Sequence, residues 1–353
     1  MHILVINPGS TSTKVAVYHD EQAVAQHVLH HSVETLSRFA EIVDQLDYRL
    51  KAVLSTLENL QIPLDFNAVI GRGSIAKPIA GGVYTVNEAM LNDARTATHK
   101  HACNLGCMIA YAIAAKISGC QALIADPEVV DELLPEAKIS GLPELHRISI
   151  WHALNQRAIA KRFAQEQGSR YEDLNLIICH LGGGISIAAH QHGMAVDANN
   201  ALDGEGPFTP ERSGSLPAAD LAKLCFSGRY TLDEVLRMIT GKGGLVAHLG
   251  TNNLPDIVQR VAKGDTHAKL IVDAMLFHTA KAIASEGAVL RGKVDAVLLT
   301  GGMAKSEYVV NYLKDRLEYL APVRCFAGED EMNSLAANAL SVLKGEQKAK
   351  QYT

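Results

Sequence analysis

The length, composition and charge of the chain exclude several classes of protein. With 353 residues it exceeds one usual domain, so we expect two or three, and its 48% hydrophobic content predicts a full core. A net charge of −5 argues against a nucleic-acid or anionic-membrane partner, and the first apolar run ends too early, at Asn7-Pro8-Gly9, for a signal peptide. No apolar run approaches the ~18 residues of a membrane span. We therefore expect a cytoplasmic protein.

The first half of the sequence begins with two predicted strands, at 3–7 and 13–18, joined by a Pro-Gly-Ser-Thr turn. The second of them alternates apolar and polar residues, which is typical of a half-buried strand. The elements that follow are a helix over 34–60, a strand over 66–74 that runs into a glycine turn, one bent helix or two helices over 87–119 closed by Gly119, and a strand at 122–127.

The second half repeats this order after a polar, proline-containing connection over 135–147. Its predicted elements are a helix over 152–168 that stops at Gly168, strands at 174–180, 185–191 and 195–199, helices over 218–225, 231–239, 254–262 and 265–290, a strand at 295–302, and helices over 305–320 and 332–345. Strand hairpins precede helices twice. This succession predicts a duplicated α/β architecture with a mixed sheet in each half and a cleft between the halves.

The six cysteines are dispersed among apolar neighbours and form no CxxC pair: they are Cys103, Cys107, Cys120, Cys179, Cys225 and Cys325. Cysteine is among the most buried residue types, so we expect buried, reduced thiols rather than disulfides or a metal site.

Two turns rich in glycine and hydroxyl residues stand in matching positions between strands. The first contains Gly9, Ser10, Thr11 and Ser12, and the second contains Gly182, Gly183 and Gly184. Glycines let an oxyanion approach the backbone N–H groups closely, and the hydroxyls add donors. Two ordinary tight hairpins are the alternative. The matching settings favour two loops that hold one chain of phosphates from both sides.

A third glycine element, VDAVLLTGGMAKS at 294–306, is a buried strand followed by Gly301, Gly302 and a helix start. Such glycines would let an adenine and a ribose lie flat against the backbone. Other phosphate motifs are absent, since the chain contains neither G-x-x-x-x-G-K-[ST] nor G-x-G-x-x-G.

Together, INPGSTSTK, HLGGGIS and LTGGMAKS resemble the two phosphate loops and the adenosine loop of the actin, sugar kinase and Hsp70 superfamily. Within it the whole chain resembles the acetate and butyrate kinases, and NNALDGEGPFTPERSGSLP at 199–217 is similar to the butyrate kinase version. The resemblance implies a duplicated ribonuclease-H-like fold. It also implies an ATP-dependent kinase that uses Mg²⁺ and turns a short-chain carboxylate reversibly into an acyl phosphate.

The resemblance assigns roles to two arginines. Arg72, in IGRGS, matches the arginine that meets the substrate carboxylate, and Arg212, in PERSG, matches the one on the transferring phosphoryl group. The planar fork of an arginine suits both tasks because it binds two oxygens at once. Surface salt bridges are the alternative, although the glycines on both sides of Arg72 and the Ser-Gly after Arg212 weigh against that alternative.

Other positions match family residues around the phosphates and the metal. Asn7 matches the asparagine beside the ATP phosphates and the metal, and Asp126 matches the aspartate near the metal and the acceptor. Glu331 is the best match to the glutamate that helps to hold Mg²⁺, with Glu329 as a substitute.

Two histidines are also implied in catalysis and phosphate binding. His152 follows Trp151, as a histidine follows an aromatic residue in the related kinases, and would donate to the phosphoryl oxygens; His180 would bond a phosphate. A purely structural role is the alternative for each.

The sequence differs from the acetate kinases after Arg72, where the segment GSIAKPIAGG places a Gly-Gly pair further along the chain, at 81–82. The acyl pocket is therefore different, and we expect a preference for C3–C5 acids over acetate. The alternatives are an acetate or propionate kinase, a sugar kinase, and a non-catalytic ATP-driven switch. We expect an acyl-substrate domain at 1–147 plus 331–353, a nucleotide-binding domain at 148–330, and a homo-oligomer.

Overall fold

The computed structural model describes all residues from Met1 to Thr353 and divides them into two units. Unit 1 comprises Met1–Asp131 and Asp330–Thr353, and unit 2 comprises Glu132–Glu329. None of the helices combines the length and hydropathy that a bilayer crossing requires.

The chain forms short strands and helices in both units. The strands are β1 (His2–Pro8), β2 (Ser12–His19), β3 (Gln22–His30), β4 (Ala68–Arg72), β5 (Val83–Thr85), β6 (Gln121–Ala125), β7 (Asn175–Leu181), β8 (Ile185–Gln191), β9 (Met194–Ala198), β10 (Ala296–Gly301), β11 (Val323–Ala327) and β12 (Lys350–Gln351). The α-helices are α1 (Val33–Leu36), α2 (Leu46–Asn59), α3 (Glu88–Thr96), α4 (Leu105–Ala114), α5 (Ala153–Glu166), α6 (Ala218–Cys225), α7 (Leu232–Thr240), α8 (Gly244–Leu249), α9 (Leu254–Ala262), α10 (Thr266–Val289), α11 (Glu307–Leu317) and α12 (Glu331–Leu343).

Each unit contains one mixed sheet built around an equivalent central strand. The unit 1 sheet has the order β12-β5-β6-β4-β1-β2-β3, in which β1 pairs antiparallel with β2 and parallel with β4. The unit 2 sheet has the order β11-β10-β7-β8-β9, in which β7 pairs antiparallel with β8 and parallel with β10. The predicted duplication and the mixed sheets are therefore confirmed. In both units the glycine turn is the hairpin connection that leaves the central strand.

Alternating side chains on the central strands bury both faces of the sheets. On β7, Ile177 and Cys179 join a core cluster with α10, whereas Leu176 and Ile178 pack with α5. In unit 1, Leu4 on β1 joins a cluster with α2 and α4, and α12 packs against β1, β4 and β6. Because both faces of each sheet are covered, the sequences of these strands are nearly continuous apolar runs.

One close backbone contact fixes where α4 packs in unit 1. A Cβ on Gly71 would lie 2.2 Å from the Gly106 carbonyl oxygen, and a Cβ on Gly106 would lie 2.2 Å from the Arg72 carbonyl oxygen. Both positions therefore require glycine. The contact brings α4 onto β4 just where the strand ends at Arg72.

Several predicted elements differ from the structure. The helix predicted over 34–60 is broken into α1, a 3₁₀ turn and α2, because the Ser37 hydroxyl binds the Glu34 carbonyl and Glu41 begins a new capped turn. The exposed strand β3, the short strands β5 and β11 and the short helix α8 were not predicted. Gly119 does not cap a helix, since α4 ends at Ala114. Gly168 does follow the end of α5, in a left-handed conformation.

The connection before α5 lies in unit 2, although the sequence analysis placed it in the first domain. The Leu134 amide donates to the Val196 carbonyl at 2.9 Å, and Arg147 binds Asp197 at 2.9 Å, so the segment is attached to β9.

All six cysteines are free thiols, but the expected burial holds for only three of them: Cys120 is partly buried, and Cys225 and Cys325 are exposed. Cys225 is exposed because α6 buries none of its residues, and Cys325 is exposed because β11 is an edge strand.

Candidate active site

The glycine turn of unit 1 is shaped by a buried arginine. Arg49, on α2, is fully buried and donates to the carbonyl oxygens of Gly9 and Ser12 at 2.9 Å. It also donates to the Ser10 carbonyl at 3.0 Å. Because the carbonyl and amide of a trans peptide point in opposite directions, the amides that follow these carbonyls face away from Arg49. The exposed side of the turn can therefore offer N–H donors to an oxyanion.

Arg72 is held between two carboxylates at the end of β4. Its Nε donates to Glu128 Oε1 at 2.8 Å, its Nη2 lies 2.5 Å from the same oxygen, and its Nη1 lies 3.1 Å from Glu331 Oε1. Burial acts to lower the pKa of the Arg72 guanidinium, but attraction by Glu128 and Glu331 outweighs it and raises the pKa. Asn7 Nδ2 donates to Glu331 Oε2 at 2.7 Å, which joins Asn7 to the same cluster.

Asp126 lies at the end of β6, next to β4. Its backbone has a positive φ of 39°, which is uncommon for a residue other than glycine and often marks a functional site. Gly82 holds this conformation from both sides, because its amide donates to Asp126 Oδ1 at 2.7 Å and its carbonyl accepts from the Asp126 amide at 3.0 Å. The displaced Gly-Gly pair of the sequence thus supports Asp126.

The charges of this cluster fit a divalent cation. One positive charge, on Arg72, faces two carboxylates, Glu128 and Glu331, and Asp126 follows the residue that pairs with Arg72 in the sheet. Oε2 of Glu128 is buried without a hydrogen-bond partner. No three acidic, His or Cys side chains form a ready cage. Mg²⁺ usually takes one or two carboxylates together with waters and phosphate oxygens, and Glu128 and Glu331 are carboxylates that could serve it.

The glycine turn of unit 2 makes room for Arg212. A Cβ on Gly184 would lie 1.8 Å from Arg212 Nη1, so only glycine permits this packing. Nη1 donates to the Ala201 carbonyl, whereas Nε is buried without a partner. Burial lowers the pKa of this guanidinium. Thr209 holds the loop, since its hydroxyl donates to the Gly183 carbonyl at 2.6 Å and accepts from the Arg212 amide at 3.0 Å.

His152 and His180 form a stacked pair beside this turn. Their ring centroids lie 3.8 Å apart and the rings are parallel within 8°. His180 Nδ1 is bonded to Asn155 Oδ1 at 2.9 Å. His180 Nε2 lies 3.1 Å from Glu329 Oε1 at an angle that makes no hydrogen bond. His152 Nδ1 is bonded to the Ser186 hydroxyl at 2.9 Å.

The two glycine elements of unit 2 line one cavity of about 750 Å³. Gly182 and Gly183 line one part of it, and Gly302, Met303 and Lys305 line another. Its volume lies in the range of pockets that hold nucleotide-sized ligands. Gly301 has a φ of 91°, and a Cβ there would lie 2.4 Å from the Leu181 carbonyl oxygen, so this glycine is required where β10 meets β7.

The predicted site residues fall into two groups. Unit 1 contains Asn7, Gly9, Ser10, Thr11, Ser12, Arg72, Asp126 and Glu331, whereas unit 2 contains His152, His180, Gly182, Gly183, Gly184, Arg212, Gly301, Gly302 and Glu329. In unit 1, Asn7 and Arg72 both donate to Glu331. Glu329, the substitute for Glu331, lies instead beside His180 in unit 2.

Sequence reasoning missed three residues that shape the site: Arg49, Glu128 and Ser186. The only signal for Arg49 is an arginine on the apolar face of a helix, between Leu46 and Val53. Glu128 and Ser186 carry no local signal.

The family model described as "Acetokinase family" matches residues 147–345, which is more than half of the chain. The chain belongs to this family. The likeness stated from the motifs is thereby confirmed.

Curated relatives cover nearly the whole length. A protein of Bacteroides thetaiotaomicron named "Probable butyrate kinase" is 58% identical over 346 residues, which is 98% of each chain. "Butyrate kinase 2" of Clostridium acetobutylicum is 49% identical over 352 residues, which is 99% of each chain.

Solved structures support the fold. The crystal structure of Porphyromonas gingivalis acetate kinase matches with a TM-score of 0.80 at 17% identity, covering 97% of this chain and 99% of the other. That of a propionate kinase from Francisella tularensis matches with a TM-score of 0.75 at 19% identity, covering 96% and 98%.

Proposed function

We propose that the protein is a butyrate kinase, which transfers the γ-phosphoryl group of ATP to a short-chain carboxylic acid and gives an acyl phosphate and ADP. The observation that carries the proposal is the near full-length identity of 47–58% to four relatives named probable butyrate kinase or butyrate kinase. The charged cluster of unit 1 and the glycine-lined cavity of unit 2 support it.

The chemistry requires alignment and charge neutralisation more than a base. An ionised carboxylate oxygen is already a nucleophile, so it can attack the γ-phosphorus in line while the bond to ADP breaks. The amides of Ser10–Ser12 and of Gly183 and Gly184 would bind phosphate oxygens, since those of Gly9 and Gly182 donate to the Ser12 and Gly184 carbonyls within the turns. Arg212 would bind the transferring phosphoryl group, and its unpartnered Nε is a donor ready for an anion.

Mg²⁺, held by Glu331 and Asn7 near Asp126, would neutralise charge on the phosphates. The residues of the chain would do the rest. His180 would bind a phosphate, and His152 would donate to the phosphoryl oxygens as negative charge builds on them. Gly302 and its neighbours would receive the adenosine.

Arg72 would bind the carboxylate of the acid. Since Glu128 and Glu331 already bind this guanidinium, an incoming acid must displace one of them or share its donors. Release of Glu331 from Nη1 would free that nitrogen for the acid. Glu128 would then remain as the competing carboxylate.

These roles would assign different ligands to the two units. Unit 1 would carry the acid and the metal, and unit 2 would carry the nucleotide. We also propose a homo-oligomer, which the exposed apolar side chains of Phe226, Leu232 and Leu236 support. The cytoplasmic location stays a prediction.

A hydroxamate assay tests the function. The protein is incubated with ATP, Mg²⁺, hydroxylamine and one acid at a time, from acetate to valerate and including isobutyrate. We expect acyl hydroxamate with the largest kcat/KM for a C3–C5 acid. Because an apolar pocket distinguishes one methylene by only about 1–3 kcal/mol, activity should overlap between neighbouring acids. An acetate optimum would contradict the acid preference, and ATP hydrolysis without hydroxamate would contradict the kinase.

A further inference from the structure

A chain of hydrogen bonds runs through the buried interior of unit 2 to His152. The Tyr171 hydroxyl lies 2.6 Å from His190 Nδ1, and His190 Nε2 lies 3.0 Å from Gln156 Oε1. Gln156 Nε2 donates to the Ser186 hydroxyl at 2.9 Å, and that hydroxyl lies 2.9 Å from His152 Nδ1. Tyr171, His190, Gln156 and Ser186 are all buried.

The direction of each bond is fixed by one group that can only accept. Gln156 Nε2 also bonds to the Ser186 backbone carbonyl at 3.1 Å, and a carbonyl has no hydrogen to donate. The amide nitrogen of Gln156 must therefore face Ser186, and its oxygen must face His190. It follows that His190 carries its hydrogen on Nε2.

The tyrosine end of the chain agrees with this direction. Burial, with the nearby charge of Arg157, lowers the pKa of His190 to about 3, so the ring is neutral and Nδ1 is an acceptor. A tyrosine hydroxyl is the natural donor to it.

The hydrogen bonds of Ser186 determine the tautomer of His152. The Ser186 hydroxyl oxygen accepts from Gln156 and, at 3.3 Å, from the His152 backbone amide. With its lone pairs used, the hydroxyl has its own hydrogen left to donate, and the bonded atom is His152 Nδ1. A neutral His152 must then carry its hydrogen on Nε2.

We propose that Ser186, Gln156 and His190 are positioning residues that hold His152 in the tautomer protonated on Nε2. The proposal rests on the role of His152 under the proposed function, because the Nε2–H group is the donor that the phosphoryl oxygens would receive. The stacked His180 ring fixes the plane of His152, and the buried chain fixes which nitrogen carries the hydrogen.

Nitrogen-15 NMR of the full-length protein, labelled in its histidines, tests the tautomer directly. His152 is assigned by the loss of its signals in His152→Gln. We expect a protonated Nε2 and an unprotonated, acceptor-type Nδ1 in the wild type. A protonated Nδ1 in the wild type would overturn the proposal. This measurement needs no variant of the buried chain to fold, and it does not depend on activity.

Ser186→Ala tests the positioning. We expect the two His152 nitrogens to become mixed in protonation and kcat to fall about tenfold, the effect of one lost hydrogen bond, with KM for ATP and for the acid unchanged. Ser186→Thr, which keeps a hydroxyl, should restore both readings. Thr279→Val removes another buried hydroxyl of unit 2, bonded only to a helix carbonyl, and should change neither.

An unchanged His152 spectrum and unchanged kcat in Ser186→Ala would overturn the proposal. The proposed function has a separate test, since hydroxamate formation by the wild type decides it whatever the tautomer of His152.

Discussion

Replacement of Gly184 by alanine tests whether Arg212 acts on the transferring phosphoryl group. The added Cβ would lie 1.8 Å from Arg212 Nη1 and 2.7 Å from its Cζ, whereas the nearest backbone atom, the Ala201 carbonyl oxygen, is 3.3 Å away. Gly184 does not have a positive φ, so its backbone accepts alanine. The guanidinium is therefore the main group that must move.

The expected effect is large on turnover and small on stability. Ordinary contact between heavy atoms begins near 3.5 Å, so Nη1 must retreat by roughly 1.5 Å. A misplacement of about 1 Å in a catalytic group can cost about 10²-fold in rate. The moving atoms are the end of a flexible side chain, so the free energy of unfolding should change by no more than about 1 kcal/mol.

The assay is hydroxamate formation with ATP, Mg²⁺ and butyrate, with urea unfolding as the check on the fold. We expect kcat of Gly184→Ala to fall about 10²-fold, and that of Arg212→Ala to fall by 10³ or more, as for other arginines that stabilise a phosphoryl group. The double variant should be no slower than Arg212→Ala alone, since both substitutions remove the same interaction, that of Arg212 with the phosphoryl group. Two results would refute this prediction: a kcat of Gly184→Ala close to that of the wild type, or a loss of kcat in the double variant equal to the product of the two single losses.

Four further substitutions test other parts of the structure. Glu128→Gln removes the carboxylate that competes for Arg72, so KM for butyrate should fall about tenfold with KM for ATP unchanged; a rise in KM for butyrate would contradict this. Glu331→Gln should raise the Mg²⁺ concentration required for half-maximal activity, whereas Glu329→Gln should not. The reverse pattern would assign the binding of Mg²⁺ to Glu329 instead of Glu331. Burial raises the pKa of Glu286 from 4.5 to about 8, so folding favours the protonated carboxyl group. The stability of the wild type is therefore lost as the pH rises between these values. In urea unfolding, Glu286→Gln should be more stable than the wild type by a few kcal/mol at pH 9, with a smaller difference at pH 6.

The glycine turns could be predicted because each is local in sequence. The turns at Gly9–Ser12, Gly182–Gly184 and Gly301–Gly302 each follow an apolar strand, and a single segment carries that whole pattern, although only Gly301 has a backbone conformation that requires glycine. The roles of Arg72 and Arg212 came from their motifs. The structure adds that Arg72 lies between two carboxylates, one of which, Glu331, is far along the chain.

The residues that were missed act through contacts between distant segments. Arg49 binds carbonyls some 40 residues before it, and Ser186 is bonded to His152, 34 residues away. Neither contact alters the local pattern of apolar and polar residues. Strand β3 escaped prediction for a related reason, because it is the exposed last strand of its sheet and lacks an alternating apolar face.

The two glycine turns differ in what their arginines do. Arg49 lies behind the first turn with its donors bound to Gln45, Thr13 and the turn carbonyls, so it fixes the backbone and has no evident capacity for a ligand. Arg212 packs onto the second turn at Gly184 and keeps a buried Nε without a partner. A buried cationic donor left unpaired is costly in the absence of an anion. That cost falls on Arg212 rather than on Arg49, which supports the proposal that Arg212 binds the transferring phosphoryl group.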